Sequence, residues 1–305
     1  PPSRTLREDS LKALPPTLHC SAMSRPLATA ALLGVTAVWG WTFVIVHEAV
    51  AVYGVLAFLA ARFGLAAAAA GALWGHRLDR RSLRTGAGIG LVLAMGYLFQ
   101  TWGLRHTTPT NSGLITGLFV VFAPVADRVL YGTRMPRPRW LAVGLSLVGM
   151  LLLTGRMPSQ LAIGDLLTLV CAVWMGAHTA LLSRHAPSHD PRALATAQML
   201  AMAALFLLLW PLAGGLRAPP REIWFAIVVT GLVASALAFA VQSAVQQRLS
   251  TAHAAILLTT EPLFAGLFGY LLAGDRLGAL QILGAALILG AVILAEVVPA
   301  RIARP

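Results

Sequence analysis

An all-α membrane protein with ten transmembrane helices, arranged as two inverted five-helix repeats, is the fold that the sequence predicts. The composition, the length of the apolar runs and a similarity between the two halves predict it. Of the 305 residues, 58% are hydrophobic and only 11% are charged, and the mean hydropathy is +0.77. Soluble domains carry about a quarter charged residues and avoid large exposed apolar patches. Lipid is therefore the predicted environment of most of the chain.

The apolar runs are long enough for helices to cross a bilayer. A segment in hydrocarbon must satisfy its own backbone hydrogen bonds, so it must be a helix or part of a closed barrel. About 20 helical residues span ~30 Å of hydrocarbon, and these runs do not alternate as barrel strands do. The predicted spans are residues 27–47, 55–75, 87–104, 111–131, 140–155, 164–183, 193–213, 222–243, 254–273 and 279–298.

Basic residues predict the orientation of these spans. Short cytoplasmic loops retain an excess of Lys and Arg, and an internal N-terminus puts most of the 23 basic residues on the inner side. Both termini are therefore predicted to be cytoplasmic, and the arginine-rich, alanine-rich composition favours a bacterial inner membrane. The net charge of +12 is spread over helix ends, which favours contact with membrane lipid over nucleic acid.

The polar, Pro-rich segment 1–24 is predicted to be a disordered cytoplasmic tail. We expect Met23 to be the natural start and residues 1–22 to be an upstream extension, although the sequence leaves open whether they are native. No cleavable signal peptide is evident. Cys20 and Cys171 lie in different predicted environments, which argues against a disulfide.

The two halves of the chain resemble each other. Each half contains five predicted spans, an odd number, so the second half must enter the membrane in the opposite orientation. We expect repeat 1 at 25–157 and repeat 2 at 158–305. Inverted repeats are typical of secondary transporters with a site near the membrane midplane. The matched positions are Ala37-Val38-Trp39 with Ala172-Val173-Trp174, Arg62 with Gln198, and, at a shift of 142 residues, Gln100-Thr101 with Gln242-Ser243.

Several longer segments, taken in order, resemble the EamA family of the drug/metabolite transporter superfamily. They are Ala37-Val38-Trp39-Gly40 through Phe43, Ala61-Arg62-Phe63, and residues 99–125, 164–178, 237–277 and 284–296. The resemblance implies a ten-helix carrier with two EamA repeats and a central cavity. It also implies a role in moving metabolites, amino acids or drugs, often outward. It does not identify the substrate.

Charged side chains inside hydrocarbon are costly and are therefore functional candidates. Arg62 and Glu261 are the clearest. One alternative is a permanent ion pair between them, with Glu48 as a competing partner for Arg62, and the other is an ion or substrate site. Glu261 is the predicted coupling residue, because a carboxylate can bind a cation or proton in only some conformations.

Polar and aromatic residues on shared helical faces complete the predicted site. Ser235, Phe239, Gln242 and Gln246 form one such face in the eighth span. Interhelical hydrogen bonding is the alternative for the glutamines, and simple packing is the alternative for His178. Pro124 and Pro262 are hinge candidates, expected to remove hydrogen bonds in mid-span. The candidates for substrate binding are Trp39, Thr42, Arg62, Tyr97, Gln100, Trp174, His178, Gln198, Gln242 and Glu261.

The predicted function is a secondary active transporter, expected to be an exporter, of a small organic metabolite, amino acid or drug. The alternatives are an uptake carrier, a scaffold or receptor, and an integral-membrane enzyme. No phosphate-loop motif or nucleophile motif occurs in the sequence, so we expect no enzyme activity and no cofactor. Pro187 interrupts His185 and His189, so no metal site is expected. Substrate identity, direction, coupling to protons and oligomeric state are left open.

Overall fold

The computed structural model is helical throughout its described part, which contains no strand. That part comprises residues 25–134, 136–154, 162–213, 215, 217–246, 257–258 and 260–297. The predicted disordered tail, the Met23 start and the C-terminal end lie outside it. The helices are α1 Arg25–Tyr53, α2 Val55–Trp74, α3 Arg80–Leu104, α4 Pro109–Thr116, α5 Phe119–Tyr131, α6 Arg137–Thr154, α7 Ile163–His185, α8 Pro191–Leu209, α9 Trp224–Val228, α10 Ala238–Gln246, α11 Glu261–Leu272 and α12 Ala279–Val297.

Seven helical segments in this part of the chain are long and apolar enough to cross a membrane. Shorter apolar helices, Trp140–Leu153, Glu261–Leu272 and Ala279–Leu294, coincide with three further predicted spans. Large apolar side chains also cover the outside of the bundle: Val129 is 78% exposed and Leu208 is 75% exposed. Apolar surface of this kind is stable against lipid chains and unstable against water. The protein is therefore a multi-pass membrane protein.

Contacts between the turns group several helix ends at one face of the bundle. An ion pair of 3.4 Å joins Arg77, after α2, to Asp190, before α8. The guanidinium of Arg184, near the end of α7, lies 5.1 Å from the ring centre of Tyr131, at the end of α5. Asp79 caps α3 by accepting a hydrogen bond from the Ser82 amide at 2.6 Å, and the hydrogen bond to Ser82 lowers the pKa of the Asp79 carboxyl. These ends are the ones predicted to be cytoplasmic.

The opposite face collects the alternate helix ends. The Tyr53 hydroxyl, at the end of α1, donates to the carbonyl of Arg217 at 2.6 Å. Thr107 donates to the Asp165 carboxylate at 2.5 Å. The amide of Thr110, in the first turn of α4, donates to the Asp275 carboxylate at 2.9 Å. The chain therefore reverses direction from helix to helix in the order that the predicted spans require.

Most of the extensive packing joins a helix from the first half of the chain to one from the second. Helix α1 packs on α11, α2 on α8, α3 on both α7 and α8, α4 on α11, α5 on α7, and α6 on α12. Glycine permits some of these close approaches. A Cβ atom at Gly113 would collide with Ala265, and one at Gly117 would collide with Pro262. The close packing predicted for these two glycines is thus between α4 and α11.

Two predicted spans are broken near their middle. The fourth divides at Gly117-Leu118, so that α5 begins at Phe119, and in the ninth a turn at Thr260 precedes the start of α11 at Glu261. The 142-residue shift that aligns Gln100 with Gln242 also aligns Phe119 with Glu261. Both halves therefore start a new helix at the same aligned position.

These breaks correct one expectation about the prolines. Pro124 lies inside α5, as expected. Pro262, however, lies in the first turn of α11, where a backbone N–H has no partner within the helix in any case. Pro262 therefore removes no hydrogen bond from the interior of a helix, and the expectation that it does so in mid-span is wrong. Bending at either proline stays a prediction.

The eighth span contains a second irregularity, a π-helical segment from Val229 to Leu237 that links α9 to α10. Stretches of this kind shift the register of the backbone hydrogen bonds and often lie at functional sites. Gly231 lies within it and approaches the backbone of α2. A Cβ atom at Gly231 would lie 2.9 Å from the carbonyl oxygen of Arg62. This close approach places Ser235, one turn further on, beside the Arg62 side chain.

Candidate functional site

A cavity lies among α1, α2, α3, α7, α10 and the two helix breaks. The space open to the centres of water molecules within it is about 50 Å³, which is room for only a few waters. It therefore suits a small ligand in this conformation. Eight of the predicted site residues line it, namely Trp39, Thr42, Arg62, Tyr97, Gln100, His178, Gln242 and Glu261.

Arg62 is held in the cavity wall by neutral groups. Its side chain is only 2% exposed, and its Nε atom donates to the Ser235 hydroxyl at 3.1 Å. Its guanidinium carbon lies 4.6 Å from the ring centre of Tyr97 and 5.0 Å from that of Phe63. Aromatic faces stabilise a desolvated cation. They leave its charge uncancelled, so Arg62 remains able to attract an anion.

Glu261 lies in the first turn of α11 and is 7% exposed. The N-terminal end of a helix attracts negative charge. Within the described ranges, the Glu261 carboxylate has no Lys, Arg or His nitrogen within the 4.0 Å of an ion pair. The structure therefore does not contain the permanent Arg62–Glu261 pair. The competing partner of Arg62, Glu48, is exposed on α1.

Aromatic rings form the apolar wall of the cavity around Phe239. The ring centre of Phe239 lies 5.4 Å from that of Trp39, 6.4 Å from that of Tyr97 and 6.0 Å from that of His178. The Trp39 indole N–H donates to the carbonyl of Ala234, in the π-helical segment, at 2.8 Å. This bond ties α1 to the eighth span and fixes the orientation of the Trp39 ring.

His178 and Gln198 act as a pair. The Nε2–H of His178 donates to Oε1 of Gln198 at 2.8 Å, and Nε2 of Gln198 donates to the carbonyl of Leu194 at 3.3 Å. Gln198 is not among the residues that line the cavity, so it positions His178 from behind. This geometry supports the alternative in which His178 is a packed, hydrogen-bonded histidine.

The two cavity glutamines differ in their hydrogen bonds. Nε2 of Gln100 donates to the Thr116 hydroxyl at 3.3 Å, which is the interhelical bond that the alternative interpretation expects. Gln242 is 4% exposed, and its Oε1 atom has no hydrogen-bond partner among the residues that the structure describes. A buried acceptor without a partner costs free energy. The Gln242 carbonyl is therefore available to a donor in the cavity.

The remaining site predictions fare unevenly. Thr42 lines the cavity but donates its hydroxyl to the carbonyl of Trp39 at 2.7 Å. Trp174 is half-buried and is not among the lining residues. The sequence argument missed Met175 and Thr179, which do line the cavity. Their spacing from His178, of three residues and one, was the available signal, since the three share one side of α7.

We expect Gln242→Ala to lower the rate of transport roughly threefold to tenfold, the range that one hydrogen bond to a ligand contributes. Its melting temperature should stay near that of the wild type, because the Gln242 Oε1 atom has no described partner to lose. Gln281→Ala is the matched control. Gln281 bonds the carbonyl of Leu153 and the amide of Gly278, so its loss should lower stability and leave the transport rate unchanged. Equal transport by Gln242→Ala and wild type would remove Gln242 from the site.

Comparison with known proteins agrees with this geometry. The model of the EamA-like transporter family matches residues 27–155 and again residues 162–296. A protein of Archaeoglobus fulgidus named "Uncharacterized transporter" is 32% identical over 275 residues, which cover 89% of this chain and 86% of that protein. A solved crystal structure is similar in fold, with a TM-score of 0.62 and 22% identity over 89% of this chain and 97% of its own. The chain belongs to the EamA-like transporter family.

Proposed function

We propose that this protein is a secondary active transporter that exports a small organic metabolite, amino acid or drug across the bacterial inner membrane by alternating access. The observation that carries the proposal is the central cavity, which holds one buried cation and one buried carboxylate inside a membrane protein of a transporter family. Such groups are costly in hydrocarbon and usually mark a substrate or ion pathway.

Three features support two inverted five-helix repeats, at 25–157 and 158–305, as the framework of this transporter. The family model matches the chain twice. The packing recurs when the halves are exchanged: α1 on α11 corresponds to α7 on the α4–α5 span, and α3 on α8 corresponds to the eighth span on α2. The aligned helix breaks fall beside the cavity, where discontinuous helices of transporters commonly bind substrates.

Coupling is proposed to act through Glu261. A ligand or ion shifts a conformational equilibrium only as far as it binds the two states unequally. The carboxylate lies next to a helix break, in an element whose surroundings differ between inward-open and outward-open states of an inverted repeat. A proton or cation bound at Glu261 in one of these states would drive the substrate against its gradient.

The orientation is proposed from the excess of basic residues at one face. We expect a cysteine at His76→Cys to be cytoplasmic and one at Ala218→Cys to be external, in a background that lacks Cys20 and Cys171. Both positions are exposed. An impermeant thiol reagent added to intact cells should label position 218 and spare position 76 until the membrane is opened. The reverse pattern would invert the proposed topology.

The proposed function is tested with purified protein in liposomes. Exchange of a labelled compound across the membrane, saturable and dependent on an imposed ion gradient, is the expected result. Transport only in the inward direction in inside-in vesicles would favour an uptake carrier. Binding of small molecules without any exchange would indicate a receptor, and the proposal would then fail.

A further inference from the structure

We infer that the cavity binds a compact zwitterion, with its anionic group at Arg62 and its cationic group at Glu261 and Gln242. The inference rests on the proposed function, because it names the substrate class of the same cavity. It follows from three observations: two opposite charges that are not paired with each other, an acceptor without a partner, and the small size of the cavity.

The unpaired charges carry most of the inference. If Arg62 and Glu261 served only to hold the helices together, direct contact between them would best offset the free energy of burying both charges. Arg62 is instead bonded to Ser235 and stacked near Tyr97. Glu261 begins α11, on another side of the cavity. Two buried charges of opposite sign that face one cavity are neutralised most completely by a ligand that carries both signs.

Gln242 indicates which end of the ligand lies near α10. Its Oε1 atom can only accept a hydrogen bond, and it has no partner in the described part of the chain. An ammonium group has three N–H donors and no acceptor. One ammonium could therefore donate to both the Gln242 carbonyl and the Glu261 carboxylate, and a ligand carboxylate could accept from the guanidinium of Arg62.

Ligands with a single charge fit the cavity less well. A simple cation would neutralise Glu261 and leave Arg62 without a counter-ion, and a simple anion would do the reverse. Either would leave one buried charge uncompensated, which is costly in a low-dielectric site. The limited space favours charged groups that are only a few bonds apart. The rings of Trp39, Tyr97 and Phe239 provide an apolar wall for a short side chain.

The test compares matched ligands on the full-length purified protein. A panel of α-amino acids and β-alanine is measured by calorimetry and by the shift in melting temperature. Each member is accompanied by its decarboxylated amine and its deaminated acid. We expect at least one zwitterion to bind and both of its singly charged analogues to bind at least tenfold more weakly, since each loses a charged hydrogen bond.

Two variants locate the charges. In Arg62→Gln the preference for the zwitterion over its amine should disappear, and in Glu261→Gln the preference over its acid should disappear. Arg77→Gln and Glu222→Gln, which change exposed residues of the same types, should keep both preferences. Should either cavity variant fail to fold, the wild-type comparison of ligands still decides the inference.

Two outcomes would overturn the inference. One is the absence of binding by any zwitterion in the panel, and the other is a singly charged analogue that binds as tightly as its zwitterion. Exchange of the bound compound across liposomes is measured separately. Binding of a zwitterion without exchange would sink the proposed transport and leave this ligand class standing. Exchange of other compounds only would do the opposite.

Discussion

Replacing Glu261 by glutamine should abolish the response of transport to a pH gradient. Glutamine keeps the size of the side chain and much of its hydrogen bonding, but it cannot take up or release a proton. A gradient of one pH unit supplies up to about tenfold accumulation for each coupled proton. The wild type should therefore accumulate substrate severalfold in liposomes with such a gradient, and Glu261→Gln should show no accumulation above the level without a gradient.

The control for this experiment is Glu222→Gln, which removes an exposed carboxylate just before α9 and should leave the pH response intact. Glu261→Gln should also remain folded in detergent, because Glu261 makes no ion pair with Arg62 in the described structure. A pH response that survives in Glu261→Gln would exclude the residue from coupling. If the variant unfolds and Arg62→Gln restores it, the two charges are paired after all.

A second large effect is expected from Gly90→Ala, which should lower the stability of the protein by about 1–3 kcal/mol, the usual range for overpacking. A Cβ atom at Gly90 would lie 2.7 Å from both the Cα atom and the carbonyl oxygen of Gln198. Since both are backbone atoms, α3 and α8 would have to separate. Thermal unfolding in detergent measures the loss, and displacement of Gln198 should also weaken ligand binding beside His178.

Gly88→Ala provides the matched control two residues earlier in the same helix. A Cβ atom at Gly88 would meet nothing within 4 Å. Alanine is favoured over glycine in a helix interior by up to about 1 kcal/mol, so this variant should be as stable as the wild type or slightly more stable. The opposite signs separate a packing effect from a change in helix propensity. Equal melting temperatures for the two variants would contradict the close contact between α3 and α8.

The sequence predicts well those features that depend on the solvent of each segment. A run of apolar residues must be helical in lipid whatever lies beside it, and a charged residue within such a run has few places to go except a cavity. For this reason Arg62 and Glu261 could be proposed from the sequence, and the structure brings both to one cavity. Placement in the cavity is as far as the structure goes, and their roles stay predictions.

Features that depend on a neighbouring helix could not be predicted in this way. Mean hydropathy does not register a break such as Gly117-Leu118, because the chain there is as apolar as an unbroken helix. The reason for Gly117 is its contact with Pro262, which is 145 residues away in sequence. The same holds for Gln198 and Trp174. Both have the residue types of a binding site, but only the packing of α7 and α8 decides that Gln198 supports His178 and that Trp174 lies outside the lining.

The alignment of the halves puts Phe119 opposite Glu261, and Arg62 opposite Gln198. The backbone is therefore nearly two-fold symmetric around the cavity, but each charge exists in a single copy. A symmetric pair of carboxylates would set a stoichiometry of two protons per cycle at these positions, whereas one carboxylate sets an upper limit of one. The single copies also make the two open states unequal in energy when empty. The resting protein should accordingly favour one side of the membrane, and the net charge moved per turnover should depend on Glu261 alone.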